Sequence, residues 1–360
     1  MPEALPEMML ANLVAVQADM RLEHYRSPEA FRRKIFQLCD QACALCSDAP
    51  SLLAFPEMLG MPLLFTVGEA AAYNHVQALA EDYADYADVA ACSSVFSAWL
   101  KLLSKYWRAL LRTAWRQRCG GRSAWYALRA PEAYRLYYQT FAEAAQHFQV
   151  TLVAGTGWWP RLEHEASRGW HIADVRSTNS ALSFSPYGRL LDRSHKQQLM
   201  PAEARQAGLY PSPTPPQTFV SPLGRMGLAI CLDGFYDSIL SRLDALAATI
   251  VVQPSANHAP WHAAWPANAQ LEEGQAWLRY GLRAGLQNRL HLRYGVNPML
   301  VGQLWDLETQ GRSSIVSNCR YYPCAQEGYE GLLAIAPHPD REAFVHAHVR
   351  LPSIPSFSPK

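Results

Sequence analysis

The feature that most constrains the fold is a series of short, uninterrupted apolar runs along the chain. The runs at 13–18, 51–55, 150–155 and 249–253 contain no charged residue, which is typical of strands buried on both faces. After the first run, Ser27 and Pro28 indicate a helix start, and apolar residues follow on one helix face. Strand, helix and strand in this order predict a layered α/β fold. The apolar residues of that helix are Phe31, Ile35, Leu38, Ala42 and Leu45.

Composition narrows the class of protein. The 360 residues are 49% hydrophobic and 18% charged, so the chain can bury a sizeable core. The formal net charge of +1 gives no general attraction to nucleic acid, and no nucleic-acid partner is expected. No apolar run reaches membrane-spanning length, which disfavours an integral membrane protein. We expect one domain over 1–360, with a helical insert at about 67–130.

The eight cysteines do not indicate a disulfide framework. The chain begins Met-Pro-Glu-Ala, without the basic and apolar segments of a signal peptide, and a reducing, cytoplasmic setting is therefore expected. Cys39, Cys43 and Cys46 are spaced for one helix face. No histidine pair accompanies them, so we predict core packing there rather than a zinc site.

The helical insert carries an unusual basic segment. Residues 95–118 form a long amphipathic pattern with basic residues every three or four positions, no acidic residue, and Trp99, Trp107 and Trp115. Such a helix could lie peripherally on an anionic membrane surface. Packing on its own domain or on a second subunit explains the pattern too, and is the commoner arrangement. Glycines 120–121 should end this helix, and Pro131 should lie at the start of the next.

Cys231 stands where an apolar strand, 226–230, meets a turn and a helix start. Backbone N–H groups at such a junction favour a thiolate and could hold an oxyanion. Core packing is an equally common fate for a free cysteine. Taken alone, the segment leaves both interpretations open.

Glu57 and Lys196 also follow predicted strands. Glu57 lies after Pro56 among apolar neighbours, a position that suits a general base. Lys196 follows a predicted hairpin at 179–191, where a fixed positive charge could stabilise an anion. Most glutamates and lysines are solvated surface residues, however, and each position by itself is compatible with that simpler role.

Four stretches in one order resemble the nitrilase superfamily of carbon–nitrogen hydrolases. The resemblance extends over about residues 10–350, apart from the helical insert, and the ordered set is more specific than any one motif. The stretches are Phe55-Pro56-Glu57, then Asn179 to Gly188 with Lys196-x-x-Leu199-x-Pro201, then Gly227-x-x-Ile230-Cys231-x-Asp233, and last Pro254-Ser255-Ala256-Asn257 with Arg283-Ala284-x-x-x-Asn288 and Asn297.

The resemblance implies a four-layer α-β-β-α sandwich that assembles into homo-oligomers through a helical layer. It implies that Glu57 is the general base and that Cys231 is the nucleophile of a thioester acyl-enzyme. Lys196, with the N–H of Leu232, would stabilise the oxyanion. Glu203 is the candidate for a second glutamate that positions the substrate. No metal and no organic cofactor is implied.

The sequence departs from the family pattern at two motif positions. Gln198 replaces a usual histidine, which can change the local hydrogen bonds, and Leu232-Asp233 stands where strict nitrilases tend to carry Trp-Glu. We therefore predict a hydrolase of a small molecule with a linear amide or related C–N bond. Three other functions stay open: an N-acyltransferase that uses the same thioester, with the 95–118 helix at a membrane, a nitrilase, and a non-catalytic binding protein that retains the fold.

Overall fold

The computed structural model describes residues 8–67, 85–167 and 169–353. Among the described residues, the first half of the chain supplies five strands and five α-helices. Strands β1, β2 and β3 run parallel, while β4 and β5 continue as antiparallel neighbours. The elements are β1 (Met8–Gln17), α1 (Pro28–Cys43), β2 (Ser51–Ala54), α2 (Leu63–Thr66), α3 (Tyr86–Ala90), α4 (Val95–Gln117), α5 (Gly121–Phe148), β3 (Thr151–Glu165), β4 (Gly169–Phe184) and β5 (Leu190–His195).

The second half supplies the other sheet and returns one strand to the first. These elements are β6 (Thr218–Ser221), β7 (Gly224–Leu228), α6 (Asp237–Ala245), β8 (Ile250–Val252), β9 (Ser255–Ala256), β10 (Ala264–Trp265), β11 (Asn268–Glu272), α7 (Glu273–Tyr280), α8 (Leu282–Leu286), β12 (Tyr294–Asn297), β13 (Met299–Leu300), β14 (Gly302–Leu304), β15 (Leu307–Thr309), β16 (Ser314–Ser317), β17 (Ala325–Gln326), β18 (Tyr329–Glu330), β19 (Leu332–Ile335) and β20 (Ala343–Pro352). The two six-stranded sheets have the orders β20-β1-β2-β3-β4-β5 and β19-β16-β12-β8-β7-β6.

Alternate side chains of β1 lie in two different cores. Leu13 and Ala15 pack against the second sheet, whereas Val14 and Val16 pack against the side that α1 and α5 cover. Helices α6, α7 and α8 cover the outer face of the second sheet. Because both faces of each central strand are buried, an uninterrupted apolar run is required there. The predicted four-layer α-β-β-α fold is confirmed.

Helix α1 follows its sequence pattern closely. The Ser27 Oγ accepts a hydrogen bond from the Ala30 N–H at 3.1 Å, which caps the helix where predicted. Cys39 is fully buried, and Cys43 and Cys46 pack partly buried against the same core. The three cysteines therefore lie in a packing environment, as expected.

The helical insert differs from its prediction at one point. The chain breaks between α4 and α5 as expected, but the helix expected to start beside Pro131 starts at Gly121 and has Pro131 in its interior. Tyr126, Ala130 and Tyr137 form one buried face across the proline. This packing outweighs the backbone hydrogen bond that a proline cannot donate. Residues 68–84 of the predicted insert lie outside the described residues.

Gly155 allows β3 to support the loop that carries Glu57. Its φ is +73°, and a Cβ atom there would lie 1.9 Å from the Pro56 carbonyl oxygen. We expect Gly155→Ala to lower the free energy of unfolding by about 3 kcal/mol, since it combines backbone strain with a steric clash. Urea denaturation would measure the loss. Gly121→Ala is the control, because a Cβ there meets no atom within 4 Å, and a loss no larger than the control's would contradict the prediction.

Candidate active site

The three residues predicted for catalysis lie at the ends of three strands. Glu57 follows β2, Lys196 follows β5 and Cys231 follows β7. All three are buried, with 2%, 1% and 7% of their surfaces exposed. Strand ends place polar side chains at the edge of a sheet, where one pocket can collect them.

Lys196 lies between two carboxylates. Its Nζ is 2.8 Å from Glu57 Oε1 and 2.9 Å from Glu203 Oε2. The Asn179 side-chain amide donates to both carboxylates at 2.7 Å, while the Lys196 N–H donates to the Asn179 carbonyl at 2.8 Å. Sequence reasoning assigned no role to Asn179. Asn179 begins the second motif, and this position is the sequence signal that could have identified it as a functional residue.

Cys231 and Glu57 both contact the backbone of one residue, Ala256. The Cys231 Sγ lies 3.7 Å from the Ala256 carbonyl oxygen, and the Ala256 N–H donates to Glu57 Oε2 at 3.1 Å. Cys231 has a φ of +50°, in the left-handed region that a non-glycine residue adopts only under local constraint. The Gln253 side chain donates to the Cys231 carbonyl at 2.6 Å and helps to fix this turn.

The charges around Cys231 set its resting state. Burial, and then the Glu57 carboxylate, raise the pKa of Cys231 well above its usual value, against the opposing effect of Lys196. Burial lowers the pKa of Lys196, but Cys231 when it is ionised, and the Glu57 and Glu203 carboxylates, outweigh burial and raise that pKa. In the resting site burial outweighs the groups that favour the thiolate, so the thiol is the resting form. A thiol in this state needs a base before it can attack.

Asp233 connects the segment after the lysine to the residue before the cysteine. Its buried carboxylate accepts hydrogen bonds from the N–H groups of Gln197 at 3.1 Å, Gln198 at 2.8 Å and Ile230 at 3.2 Å. Gln198 replaces the usual histidine side chain, but its backbone N–H is still bound by Asp233. Asp233 thus fixes the distance between the two loops.

Leu232 lies next to Cys231 in the short turn Cys231–Phe235. The first hydrogen bond of the turn runs from the Asp233 N–H to the Ile230 carbonyl at 3.0 Å. The Leu232 N–H precedes this first donor in the chain and takes no part in the hydrogen bonds of the turn. An N–H at such a position is of the kind that helix starts offer to anions. The oxyanion contact of the Leu232 N–H stays a prediction.

The folded-state pKa of Asp233 predicts a pH effect on stability. Burial raises this pKa to about 7, against the N–H groups of Gln197 and Gln198, which lower it, whereas the ordinary value is 3.8. Between these values the native state binds more protons than the unfolded chain, so this contribution to stability is present at low pH and is lost as pH rises toward 7. Relative to Asp233→Asn, the wild type should lose about 1 kcal/mol per pH unit between about pH 5 and pH 7.

Urea denaturation of both proteins across this range would measure the difference, and Asp340→Asn, which alters an exposed carboxylate, serves as the control. A wild type that gains stability over the variant as pH rises would contradict the prediction. Such a result would mean that the N–H groups outweigh burial at this carboxylate.

The site offers proton-transfer and charge-stabilising groups rather than a cluster of ligands. Over the described ranges 8–67, 85–167 and 169–353, no group of three His, Cys, Asp or Glu side chains is placed to hold a metal ion. The groups that converge are a thiol, a carboxylate, an ammonium and a second carboxylate. This is a set that can support nucleophilic attack and proton transfer.

Comparison with known proteins identifies the family. The sequence model described as carbon-nitrogen hydrolase matches residues 14–285, whereas curated protein sequences contain no significant match. Among solved structures, a carbon–nitrogen hydrolase from Helicobacter pylori is 16% identical, with 95% of this chain and 88% of that chain covered and a TM-score of 0.58. Nit3 from Saccharomyces cerevisiae, a member of branch 10 of the nitrilase superfamily, is 13% identical, with 94% and 90% covered and a TM-score of 0.53. A mutant of an amidase from Nesterenkonia, also of this superfamily, is 15% identical, with 94% and 90% covered and a TM-score of 0.54.

At these identities the structural likeness shows the fold alone. The sequence match covers most of the chain and includes the positions of Glu57, Lys196 and Cys231. It agrees with the four ordered motifs and with the layered architecture. The chain therefore belongs to the carbon–nitrogen hydrolase family.

Proposed function

We propose that this carbon–nitrogen hydrolase cleaves a linear amide or a related non-peptide C–N bond through a thioester on Cys231. The observation that carries the proposal is the buried Lys196 ammonium, held between Glu57 and Glu203 beside the backbone unit that also contacts the cysteine sulfur. Burying an ion network of this kind costs desolvation energy. A protein that only binds ligands has no need to retain all of these groups, so the network supports a catalytic role.

In the first step, Glu57 accepts the thiol proton while the Cys231 sulfur attacks the carbonyl carbon of the amide. The negative charge moves to the carbonyl oxygen, where the Lys196 ammonium and the Leu232 N–H stabilise it. The C–N bond then breaks, the leaving nitrogen takes the proton from Glu57, and ammonia or an amine departs. A thioester remains on Cys231.

In the second step, water attacks the thioester carbon and Glu57 accepts a proton from that water. The C–S bond breaks, the proton passes to the sulfur, and the carboxylic acid is released. Because the resting nucleophile is a thiol of raised pKa, the same carboxylate must move a proton in each half of the cycle. This requirement explains why a carboxylate lies so close to the cysteine turn.

Glu203 is suited to a positioning role. Its side chain is 12% exposed, against 3% for Glu57, and the Met200 N–H donates to its Oε2 at 2.8 Å. It therefore holds Lys196 from the more open side of the network. We propose that it also orients the nitrogen of the substrate.

The proposal of an amide rather than a nitrile rests on two supports. Leu232-Asp233 departs from the Trp-Glu of strict nitrilases. Two solved structures of a glutamate-to-glutamine mutant of the Nesterenkonia amidase show, at its active-site cysteine, acrylamide after Michael addition and the acetamide moiety of fluoroacetamide. Small aliphatic amides are accordingly the first substrates to try here.

Ammonia release from a panel of short linear amides, ureido compounds and nitriles tests this function. We expect the wild type to release ammonia from at least one amide or ureido compound, and Cys231→Ala to lose at least about a thousandfold in rate. Cys119→Ala is the control and should keep the wild-type rate. Nitrile hydrolysis alone, no hydrolysis at all, or an active Cys231→Ala variant would contradict the proposal. Formation of an acylated amine instead of free acid, when an amine is added, would favour an acyltransferase.

A further inference from the structure

Helix α4 presents an exposed apolar stripe to solvent. Its residues follow one another at spacings of four or seven positions, which places them on one side of the helix. Side chains this large and this exposed rarely occur together on the surface of a protein that has no partner there. The stripe consists of Phe96, 64% exposed, Leu100, 47%, Trp107, 52%, Leu111, 62%, and Trp115, 83%.

The opposite face of α4 is anchored to the domain. Ala98 and Leu102 are fully buried. The Tyr106 hydroxyl donates to the buried Asp85 carboxylate at 2.8 Å, and Arg129 of α5 pairs with the same carboxylate at 2.7 Å. Turning the stripe inward would take the Tyr106 hydroxyl and the Lys105 ammonium away from the buried Asp85 carboxylate, which is strongly unfavourable. The stripe is therefore held facing outward.

Three arginines run along one edge of the stripe. Arg108, Arg112 and Arg116 are exposed, and α4 contains no acidic residue. Among the ion pairs of the described residues, those made by α4 join Lys101 and Lys105 to aspartates, and none involves these three arginines. The outward face of α4 thus combines uncovered apolar area with positive charge.

We propose that α4 docks this face on an anionic lipid surface. Tryptophan side chains suit the boundary between acyl chains and headgroups, and arginines beside them attract negatively charged headgroups. A second copy of the chain is a poorer occupant, since a two-fold contact would bring two sets of arginines together with no acidic residue on either α4. No described helix combines the length and apolar character needed to cross a bilayer. The proposed contact is peripheral.

Vesicle co-sedimentation tests the proposal. The wild type should bind vesicles of phosphatidylcholine with about 30% phosphatidylserine at about 0.05 M salt, and it should bind much less at about 0.5 M salt, where surface charges are screened. It should bind pure phosphatidylcholine weakly at both salt concentrations. Failure to bind the anionic vesicles at low salt would overturn the proposal.

Two triple variants separate the apolar and the basic contributions. Trp107→Ser/Leu111→Ser/Trp115→Ser and Arg108→Gln/Arg112→Gln/Arg116→Gln should each weaken binding to the anionic vesicles by about a hundredfold. The control replaces exposed apolar side chains away from α4, Val220, Leu290 and Tyr322, by serine and should bind like the wild type. All the substitutions are at exposed positions, so far-UV circular dichroism should be unchanged.

Light scattering of the same proteins tests whether a second copy of the chain, rather than a lipid surface, covers the stripe. If the wild type is an oligomer that does not bind vesicles, and the serine variant of the stripe is a monomer, the face is an interface between copies and the lipid proposal is wrong. Vesicle binding that both α4 variants retain would also overturn it. Amide hydrolysis by these variants should remain at the wild-type rate, so the lipid contact and the catalytic proposal can fail independently.

Discussion

Replacing Glu57 by glutamine is expected to lower the rate of amide hydrolysis by about a thousandfold, the typical contribution of a general base. The amide of glutamine has nearly the same shape, and its single carbonyl oxygen can still accept from Lys196 and Asn179, although its NH2 group cannot accept from the Ala256 N–H. It cannot take the thiol proton. Because burial holds the pKa of Cys231 high, the variant would lack any efficient route to the thiolate.

The steady-state rate with the best amide of the panel measures this loss, and circular dichroism would show that the fold is retained. Glu143→Gln is a matched control, since the Glu143 side chain is 54% exposed and lies on α5, outside the site. It should keep the wild-type rate. A Glu57→Gln variant that is as active as the control would remove the carboxylate from the mechanism.

Replacing Lys196 by methionine is expected to affect stability as well as rate. The change leaves the buried Glu57 carboxylate and the partly buried Glu203 carboxylate without the cation that both contact at less than 3 Å. Removal of one partner from a buried ion network typically costs about 3–5 kcal/mol. The rate should also fall by at least about a hundredfold, because an oxyanion-stabilising charge is lost.

Urea denaturation would measure the change in stability, and a second substitution tests its cause. Glu203→Gln added to Lys196→Met removes one of the uncompensated carboxylates, so the double variant should regain part of the stability while it remains inactive. Lys101→Met, at a half-exposed surface ion pair, should change stability by less than about 1 kcal/mol. Equal stability of the Lys196 and Lys101 variants would show that the network is not the electrostatic unit described above.

The parts of the fold that the sequence predicts are those that depend on local pattern. The apolar runs predict the central strands because burial on both faces excludes polar residues, as Leu13 and Val14 on opposite faces of β1 illustrate. The Ser27 cap and the hairpin before Lys196 depend on neighbouring residues in the same way. Strand ends then bring Glu57, Lys196 and Cys231 to one place, and the ordered motifs suggested their roles.

Other features depend on contacts that are distant in the sequence. Strand β20, near the end of the chain, pairs with β1. The sequence pattern of β20 does not predict which strand it pairs with. Pro131 lies inside a helix because packing along α5 overrides a local rule. The raised pKa of Cys231 follows from its burial, and the shared donor Asn179 follows from two carboxylates that only the tertiary structure brings together.

The most direct test of the central claim is to locate the acyl group during turnover. The wild type would be mixed with its best amide, quenched in acid, and analysed by intact mass and peptide mapping. We predict one acyl group, added with loss of one hydrogen, on the peptide that contains Cys231; hydroxylamine should release it, and the Cys231→Ala variant should lack it. An adduct on another of the eight cysteines, or steady turnover with no acylated Cys231 at any quench time, would contradict the thioester mechanism.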